Sequence, residues 1–460
     1  MKMLPLLSLE LRRLLQSRLT WLLAGLTALS PALGLVLYQP ASAETMLSMY
    51  LANPAIAGGA AGGVLFGLLS VFELDRTARS RVEALTDAAV SPLVMALVRL
   101  LALLAGALLT LGLTMLLWLP VSRGLIGSVF DGTDYVLAYL LFLGLALPLG
   151  ILSAASAYQL TRRLDLSLVL FAVFAGLSLT VWADDWQLCW LNPCVWALSD
   201  DFSNFRIFRS AAYMRLTWLA ALAGVWTLSW LCVRQNGRGL FRSLLWSARR
   251  IYRPAVALLL LVCAVSAYAA QPLVDRSNPD ETAAEFYELP YAEGVVCTGR
   301  SAQVFPDTSA GAVKGRASYQ LRNTSGREQR VAFGVNPGYT ISHVRADGEA
   351  APFSVSSYQE FNEAMLEVVI PAAEQVELTM GDEGFPRENR SLSVMQGSME
   401  ISGEYLCLEN AALSPRLMNV LPGENGYPAS IEITLPASMT VIPFGSGGAS
   451  VIAEHEDGTR

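Results

Sequence analysis

The residue types that most often perform catalysis are scarce in this chain. Only two histidines occur, His343 and His455. His455 is followed by Glu456, as in the zinc-binding pattern H-E-x-x-H, but the fifth position holds Thr459. His343 falls in a predicted strand with no Cys or Asp nearby, and no G-x-S-x-G elbow occurs. We therefore expect no catalytic residue, no metal and no enzymatic activity of the chain by itself.

A charged segment, residues 72–85, stands out instead. It follows a long apolar stretch, has a helix-like pattern of charges and precedes Ser91-Pro92. The chain has no G-x-x-x-x-G-K-[ST] loop for the phosphates of a nucleotide, so we expect no directly bound cofactor. Nor does a basic stripe with interleaved aromatics occur in the polar half, so we expect no nucleic-acid partner.

The elements around this segment are apolar and long. Hydrophobic residues make up 53% of the 460 residues, and only 15% are charged. A helix needs about 20 apolar residues to cross a bilayer. Seven uncharged stretches reach or approach that length: 20–38, 54–72, 100–119, 135–158, 166–182, 216–233 and 254–270. Because no charged group lies within them, a proton-coupled carrier and an intramembrane aspartate protease are disfavoured.

Charge predicts the orientation of these spans. With the amino terminus in the cytoplasm, the inner segments hold fifteen Lys and Arg residues, whereas the short outer loops hold Arg123, Arg206 and Arg209. Residues 1–270 have a net charge of +7 and residues 271–460 one of −14. We predict a membrane domain at 1–270 and a domain outside the membrane at 271–460. Ala267-Tyr268-Ala269 resembles a signal-peptidase site, and cleavage there is the alternative to an uncleaved seventh span.

Three features together resemble one protein family. Residues 4–19 form a basic amphipathic pattern typical of a helix in the membrane surface. The charged segment has Glu73, then Glu83-Ala84-Leu85, and Pro92 follows, with Arg99 near the start of the third stretch. This order over residues 1–235 resembles the permease subunits of type-2 ABC exporters, although Ser80-Arg81-Val82 replaces the usual Gly-Thr.

The resemblance implies a function and a partner. In that family the charged helix meets a separate ATP-binding subunit, so ATP would act through that partner. The residues implied in this contact are Glu73, Asp75, Arg76, Arg79, Arg81 and Glu83. An ordinary solvated loop remains the alternative. The family also works as paired permease halves, which implies a homodimer or a second permease.

A glycine stripe occupies the second apolar stretch. Gly58, Gly59, Gly62, Gly63 and Gly67 form overlapping small-x-x-x-small repeats, which allow helices to approach closely. Packing within one bundle and a seam between two copies both remain open.

The polar half predicts a β-rich fold. Short runs with β-branched or alternating residues, separated by turn residues, are typical of a β-sandwich. They lie at 317–322, 330–335, 340–344, 364–370, 376–380, 399–407, 430–435, 439–443 and 450–454, with one helix candidate at 280–289. An oxidising setting would allow the candidate disulfides Cys297–Cys407 and Cys189–Cys194.

The end of the chain carries a second resemblance. Residues 431–436, 441–447 and 456–460 resemble the end of the non-catalytic β-domain that precedes the catalytic domain of zinc aminopeptidases. The zinc motif itself is missing, so peptidase activity does not carry over. The chain stops after Asp457-Gly458, a turn signal with no returning strand, which suggests a truncated product or a strand supplied from elsewhere.

The predicted fold class is therefore a membrane all-α bundle of six or seven transmembrane helices plus an amino-terminal interfacial helix, followed by an extracytoplasmic all-β sandwich-like domain. The predicted function is that of an ABC exporter permease in a bacterial plasma membrane, with the outer domain in binding or gating. The alternative is a membrane-anchored sensor or scaffold whose outer domain recognises a ligand or envelope component. The two differ in whether an ATPase belongs to the complex.

Overall fold

The computed structural model describes most of the chain. The described residues are 3–80, 89–183, 185, 188–193, 195, 197–200, 204–234, 239–270, 290–356, 363–386, 400–401, 406–408, 410–422, 429–436 and 438–439. The chain divides into two compact units, Met1–Gln271 and Pro272–Arg460, named here the helical unit and the β-unit.

The helical unit begins with an amphipathic helix, and apolar helices follow it. The helices are α1 (Met3–Gln16), α2 (Arg18–Leu29), α3 (Ala32–Val36), α4 (Asn53–Arg79), α5 (Pro92–Ile126), α6 (Gly132–Ala138), α7 (Ala146–Thr161), α8 (Leu164–Leu179), α9 (Phe205–Leu231), α10 (Leu240–Ala248) and α11 (Tyr252–Ala270). π-helical turns precede α4 at Ser48–Ala52 and join α6 to α7 at Tyr139–Gly144.

Within the described residues, five helical segments are long and apolar enough to cross a membrane. They are Arg18–Val36, Ser48–Arg76, Pro92–Val129, Gly132–Thr161 and Tyr252–Ala269. Each contains one of the seven predicted stretches or most of one.

The other two predicted stretches differ from expectation. The stretch 166–182 becomes α8, which has 16 residues and is shorter than a typical span. The stretch 216–233 is the later part of α9, which begins at Phe205 and takes in Arg209 and Arg215. Seven spans therefore stay a prediction. The stretch 216–233 is itself uncharged, but the helix that contains it also includes the buried Arg215 just before the stretch.

Helix α4 lies at the centre of the helical unit. It packs against α2, α3 and α7. Of the most apolar 18 residues in its segment, 72% are buried, compared with 11% of those in α11. This burial follows from its glycines, since a helix face without side chains allows neighbouring backbones to approach.

The β-unit consists of strands with alternating burial. They are β1 (Val295–Asp307), β2 (Ala312–Asn323), β3 (Gln329–Val335), β4 (Tyr339–Ala346), β5 (Glu349–Ala350), β6 (Phe353–Ser356), β7 (Ala364–Ile370), β8 (Gln375–Gly384), β9 (Glu400–Ile401), β10 (Leu406–Cys407), β11 (Arg416–Leu417), β12 (Leu421–Pro422) and β13 (Ala429–Ile433).

Two sheets enclose the main core of this unit. One has the order β12–β1–β2–β8–β4–β5, with β13 also paired to β1, and the other has the order β11–β3–β7–β6. Buried residues from both sheets form one cluster, in which the rings of Tyr319 and Phe333 lie 4.9 Å apart. Strands β9 and β10 form a separate pair. The predicted all-β character of the second half is therefore present in the described residues.

Most predicted strands have counterparts, but the longest strand was missed. Strand β1 contains Gly299, Pro306 and several polar residues, so it lacks a continuous apolar signal. Its stability comes from pairing, because β2 lies antiparallel along its whole length while β12 and β13 run parallel to it on the other side. The predicted helix at 280–289 and the predicted strand at 450–454 lie outside the described residues.

Candidate functional site

A cluster of charged side chains joins three helices at one end of the helical unit. Glu10 and Arg13 lie on α1, Glu73 on α4 and Arg99 on α5. Arg13 Nε donates to Glu10 Oε2 over 2.6 Å, and Arg13 Nη2 lies 2.6 Å from Glu73 Oε2. We call Glu10, Arg13, Glu73 and Arg99 the charged cluster.

The charged cluster is largely shielded from solvent. Glu10, Glu73 and Arg99 are only 4%, 5% and 7% exposed. Burying an ion costs several kcal/mol, and the cost is offset only when opposite charges and hydrogen bonds surround it. Two carboxylates lie among arginines here, and Arg99 is in electrostatic range of both.

The amphipathic pattern of α1 explains how its charges reach α4. Leu6 and Leu14 are buried on the same side of α1 as Glu10, whereas Leu4 and Leu9 are exposed. The exposed leucines suit a membrane interface, and the buried side packs on α5. The cluster therefore fixes the amphipathic α1 to the charged end of α4.

The last turns of α4 carry further charges. Asp75 Oδ1 accepts a hydrogen bond from the hydroxyl of Tyr158 on α7 over 3.0 Å, and Asp75 Oδ2 lies 3.2 Å from Arg79 Nη2. Arg79 is largely exposed, and its guanidinium lies 5.8 Å from the Phe72 ring centroid. The charged residues up to Arg79 thus continue α4 and do not form a separate loop helix.

The structure separates the six residues that the family resemblance implied in partner contact. Glu73 is buried and pairs with Arg13 within the chain, and its role in partner contact stays a prediction. Asp75 and Arg76 are half-buried, and Arg79 is exposed. Arg81 and Glu83 lie outside the described residues.

The glycine stripe is occupied within the chain. A Cβ added at Gly59 would lie 2.2 Å from the carbonyl oxygen of Phe142, and one added at Gly67 would lie 2.2 Å from the Phe171 ring. Gly58, Gly62 and Gly63 have side-chain or backbone atoms of the same chain at comparable distances. These glycines pack against the neighbouring elements of one bundle, and a seam between two copies stays a prediction.

Arg215 is a buried charge that the sequence analysis missed. It lies in α9, has no exposed surface and donates to the carbonyl oxygens of Leu141, Phe142, Trp190 and Leu191. The first two belong to the π-helical turn, in which irregular pairing leaves carbonyl oxygens accessible. The apolar residues before Arg215, from Ile207 onwards, were the sequence signal that α9 begins well before Arg215.

The cysteines differ from expectation in one pair. Cys297 is a free thiol, fully buried in the main core, and burial raises the pKa of this thiol. The candidate Cys297–Cys407 disulfide is thus not formed in the structure, because Cys407 lies on the separate strand pair β9–β10. Cys189 is buried in the helical unit, and its candidate partner Cys194 lies outside the described residues, so that pair stays a prediction.

Metal ligands do not converge in the described part of the chain, where no group of three His, Cys, Asp or Glu side chains could hold an ion. His343 lies on β4, half-buried, with Nδ1 3.0 Å from Ser342 Oγ. His455 and Glu456 are outside the described residues.

Similarity to known proteins is confined to part of the chain. No protein-family model matches this sequence, and no curated protein matches it. Among solved structures, the M1 zinc metallopeptidase from Deinococcus radiodurans is similar with 15% identity and a TM-score of 0.25, covering 37% of this chain and 38% of that protein. Native leukotriene A4 hydrolase from Saccharomyces cerevisiae is similar with 16% identity and a TM-score of 0.17, covering 23% of this chain and 18% of that protein.

These likenesses are weak and cover well under half of either solved protein. They belong to the peptidase class that the end of the sequence resembles, but they indicate no activity for this chain. No family model supports the resemblance to exporter permeases.

Proposed function

We propose that this protein is the permease subunit of an ATP-driven ABC exporter, working with a separate ATP-binding subunit. The end of α4 carrying Arg76 and Arg79, with the segment holding Arg81 and Glu83 after it, receives that subunit. The protein spans a bacterial plasma membrane with its amino terminus in the cytoplasm, and the β-unit acts outside in binding or gating.

The ion pair between Arg13 and Glu73 is the observation that carries this proposal. It ties α1, whose exposed leucines suit the membrane surface, to the charged end of α4. A push on that end by a partner would move both helices together, since separating a buried ion pair costs about 3–5 kcal/mol. Such an element suits a subunit that receives mechanical work from another protein.

A pull-down of the full chain in mild detergent tests the proposal. The variant R79E/R81E reverses charge at the exposed Arg79 and at Arg81, which follows it in sequence, and leaves the charged cluster intact. R163E is a matched control, because Arg163 is also exposed and also forms a local ion pair, with Asp165 at 2.7 Å. We expect an ATPase to copurify with the wild type and with R163E, and to be lost from R79E/R81E.

Two outcomes would contradict the exporter proposal. Intact wild-type protein without an ATPase would remove the partner on which it depends. Equal loss from R163E and R79E/R81E would show that the contact is not at the end of α4. The first outcome would favour the alternative of a membrane-anchored sensor or scaffold.

A further inference from the structure

The outward face of the large sheet in the β-unit carries two rows of polar side chains. One row runs across five strands through Glu432, Gln303, Arg316, Gly381 and His343, which are paired in register. The neighbouring row is also in register and consists of Ser430, Ser301, Ser318, Thr379 and Arg345. Both rows line one shallow cavity of about 700 Å³, named here the polar groove.

Gly381, which has no side chain, lies in the middle of the first row. It lies on β8 between Arg316 on β2 and His343 on β4, so the two side chains start about 10 Å apart, or two strand spacings. An added Cβ at Gly381 would lie 2.4 Å from His343 Cε1 and 2.7 Å from Ser342 Oγ. The glycine therefore keeps space in which the imidazole rests against the sheet.

Two arginines lie in the same two rows as this imidazole. Arg316 and Arg345 are exposed, and neither forms an ion pair with another described residue. The hydrogen bond between Ser342 Oγ and His343 Nδ1 engages one ring nitrogen. When Nδ1 accepts that bond, Nε2 carries the proton and is a donor for a ligand.

Carboxylates lie only at the borders of the polar groove. Glu432 accepts a hydrogen bond from Gln303 Nε2 over 3.1 Å, and Glu377 accepts one from Ser318 Oγ over 3.1 Å. The region 271–460 has a net charge of −14. In this acidic region, Arg316, Arg345 and the imidazole that lies over Gly381 form a group of hydrogen-bond donors that can attract an anion.

We propose that the polar groove binds a phosphate monoester carried by a soluble ligand. The three donor groups are not collinear, because His343 and Arg345 share β4 while Arg316 lies two strands away. A phosphate monoester offers three strong acceptor oxygens to such an arrangement, whereas a carboxylate offers two. The described lining residues of the groove include no Phe, Tyr or Trp.

This inference goes beyond the exporter function. It names a ligand class for the β-unit and uses none of the residues at the end of α4. Either proposal can fail while the other holds, because the exporter function is tested by copurification of an ATPase and the polar groove by ligand binding.

Calorimetric titration of the full-length protein in detergent with glycerol 3-phosphate tests the proposal. We expect saturable binding by the wild type and at least about tenfold weaker binding by R316Q/R345Q, since a hydrogen bond to a charged group contributes about 1.5–3 kcal/mol. G381V would place a side chain where the imidazole of His343 lies, and it is expected to abolish binding. R322Q is the matched control, because Arg322 is exposed on the same face of β2, six residues along, or about 20 Å away.

The titration also separates the sources of the phosphate group. Glycerol should give no heat, and binding of glycerol 3-phosphate should weaken as salt rises from low to high concentration. No saturable binding by the wild type, or equal weakening by R322Q, would overturn the proposal. If the protein binds nanodiscs that contain phosphatidic acid but does not bind glycerol 3-phosphate, the proposal that the ligand is soluble is overturned.

Discussion

Arg215 binds four backbone carbonyl oxygens from two parts of the chain that lie far from it in sequence. Each carbonyl oxygen would otherwise be buried without a donor, which costs about 1–3 kcal/mol. The residue thus holds the π-helical turn Tyr139–Gly144 and the segment around Trp190 to α9. A guanidinium suits this position, because its N–H donors point in different directions within one plane and reach several acceptors together.

We expect R215M to lower the free energy of unfolding by at least about 3 kcal/mol, because it removes every donor and leaves the carbonyl oxygens buried. R215K should be intermediate, since an ammonium has three donors at one point. Thermal unfolding in detergent, followed by size-exclusion chromatography, measures the change. R123M is the control, as Arg123 is exposed. A stable R215M protein would contradict the role of Arg215.

Asp382 is a buried carboxyl in the β-unit. It is 5% exposed on β8, and burial raises its pKa to about 6 despite hydrogen bonds from the backbone. A raised pKa means that the folded state binds the proton more tightly than the unfolded state. The stability that this carboxyl contributes is therefore fully present below pH 4 and is lost as the pH rises through about 6, with a magnitude of about 3 kcal/mol.

We predict that D382N slows hydrogen exchange in β2 and β8 at pH 7.5, relative to wild type at the same pH, and that the difference vanishes near pH 4. Mass spectrometry of peptides from these strands measures it. D307N is the control with the opposite sign, because hydrogen bonds from Ser309 and Ala310 lower the pKa of Asp307. A difference that does not depend on pH would rule out the carboxylate as its cause.

At the scale of elements, close contact between α4 and α7 organises the helical unit. Gly63 and Gly150 face each other at this crossing, where a Cβ at Gly150 would lie 2.0 Å from the Gly63 carbonyl oxygen. The obstacle is backbone, which cannot rotate away as a side chain can. The two helices must separate to accept even a methyl group, and they would lose contact along their length.

We expect G150A to destabilise the helical unit by about 1–3 kcal/mol through this overpacking. G176A is the matched control, because Gly176 lies in α8 with no atom within 4 Å of an added Cβ. It should be neutral or stabilise by up to about 1 kcal/mol, since alanine favours the helix. Unfolding of both variants in detergent makes the comparison, and equal effects would contradict the close crossing.

At the scale of the whole molecule, charge divides the chain. The region 1–270 is net positive and 271–460 is net negative, and the boundary between the two compact units falls at Gln271. The positive-inside rule predicts that the arginine-rich segments of the helical unit face the cytoplasm. It also predicts that the acidic β-unit lies outside the membrane.

Thiol labelling in intact cells tests this arrangement. In a background without cysteine, E328C on an exposed turn of the β-unit should react with a membrane-impermeant reagent. R163C, in the connection between α7 and α8, should react only after the cells are permeabilised. Reaction of both, or of R163C alone, would contradict the predicted orientation.

Much of the architecture could be predicted from sequence because it depends on local composition. Runs of about 20 apolar residues and alternation along strands such as β8 are visible without tertiary information. Strand β1 could not be predicted, because its polar face and its Gly299 conceal it until neighbours pair with it. The burial of Glu73 was missed for a similar reason, since its partner Arg13 lies in another helix.

The sequence by itself determined that a basic, apolar first part and an acidic, β-rich second part make up this chain. Both properties are sums over neighbouring residues, so they survive without knowledge of contacts. Only the tertiary structure decided that Arg13 pairs with Glu73, that Arg215 binds the carbonyl oxygens of a π-helical turn, and that Arg316 and His343 flank Gly381. Helix packing and strand register join residues that are distant in sequence, and no local pattern encodes those pairs.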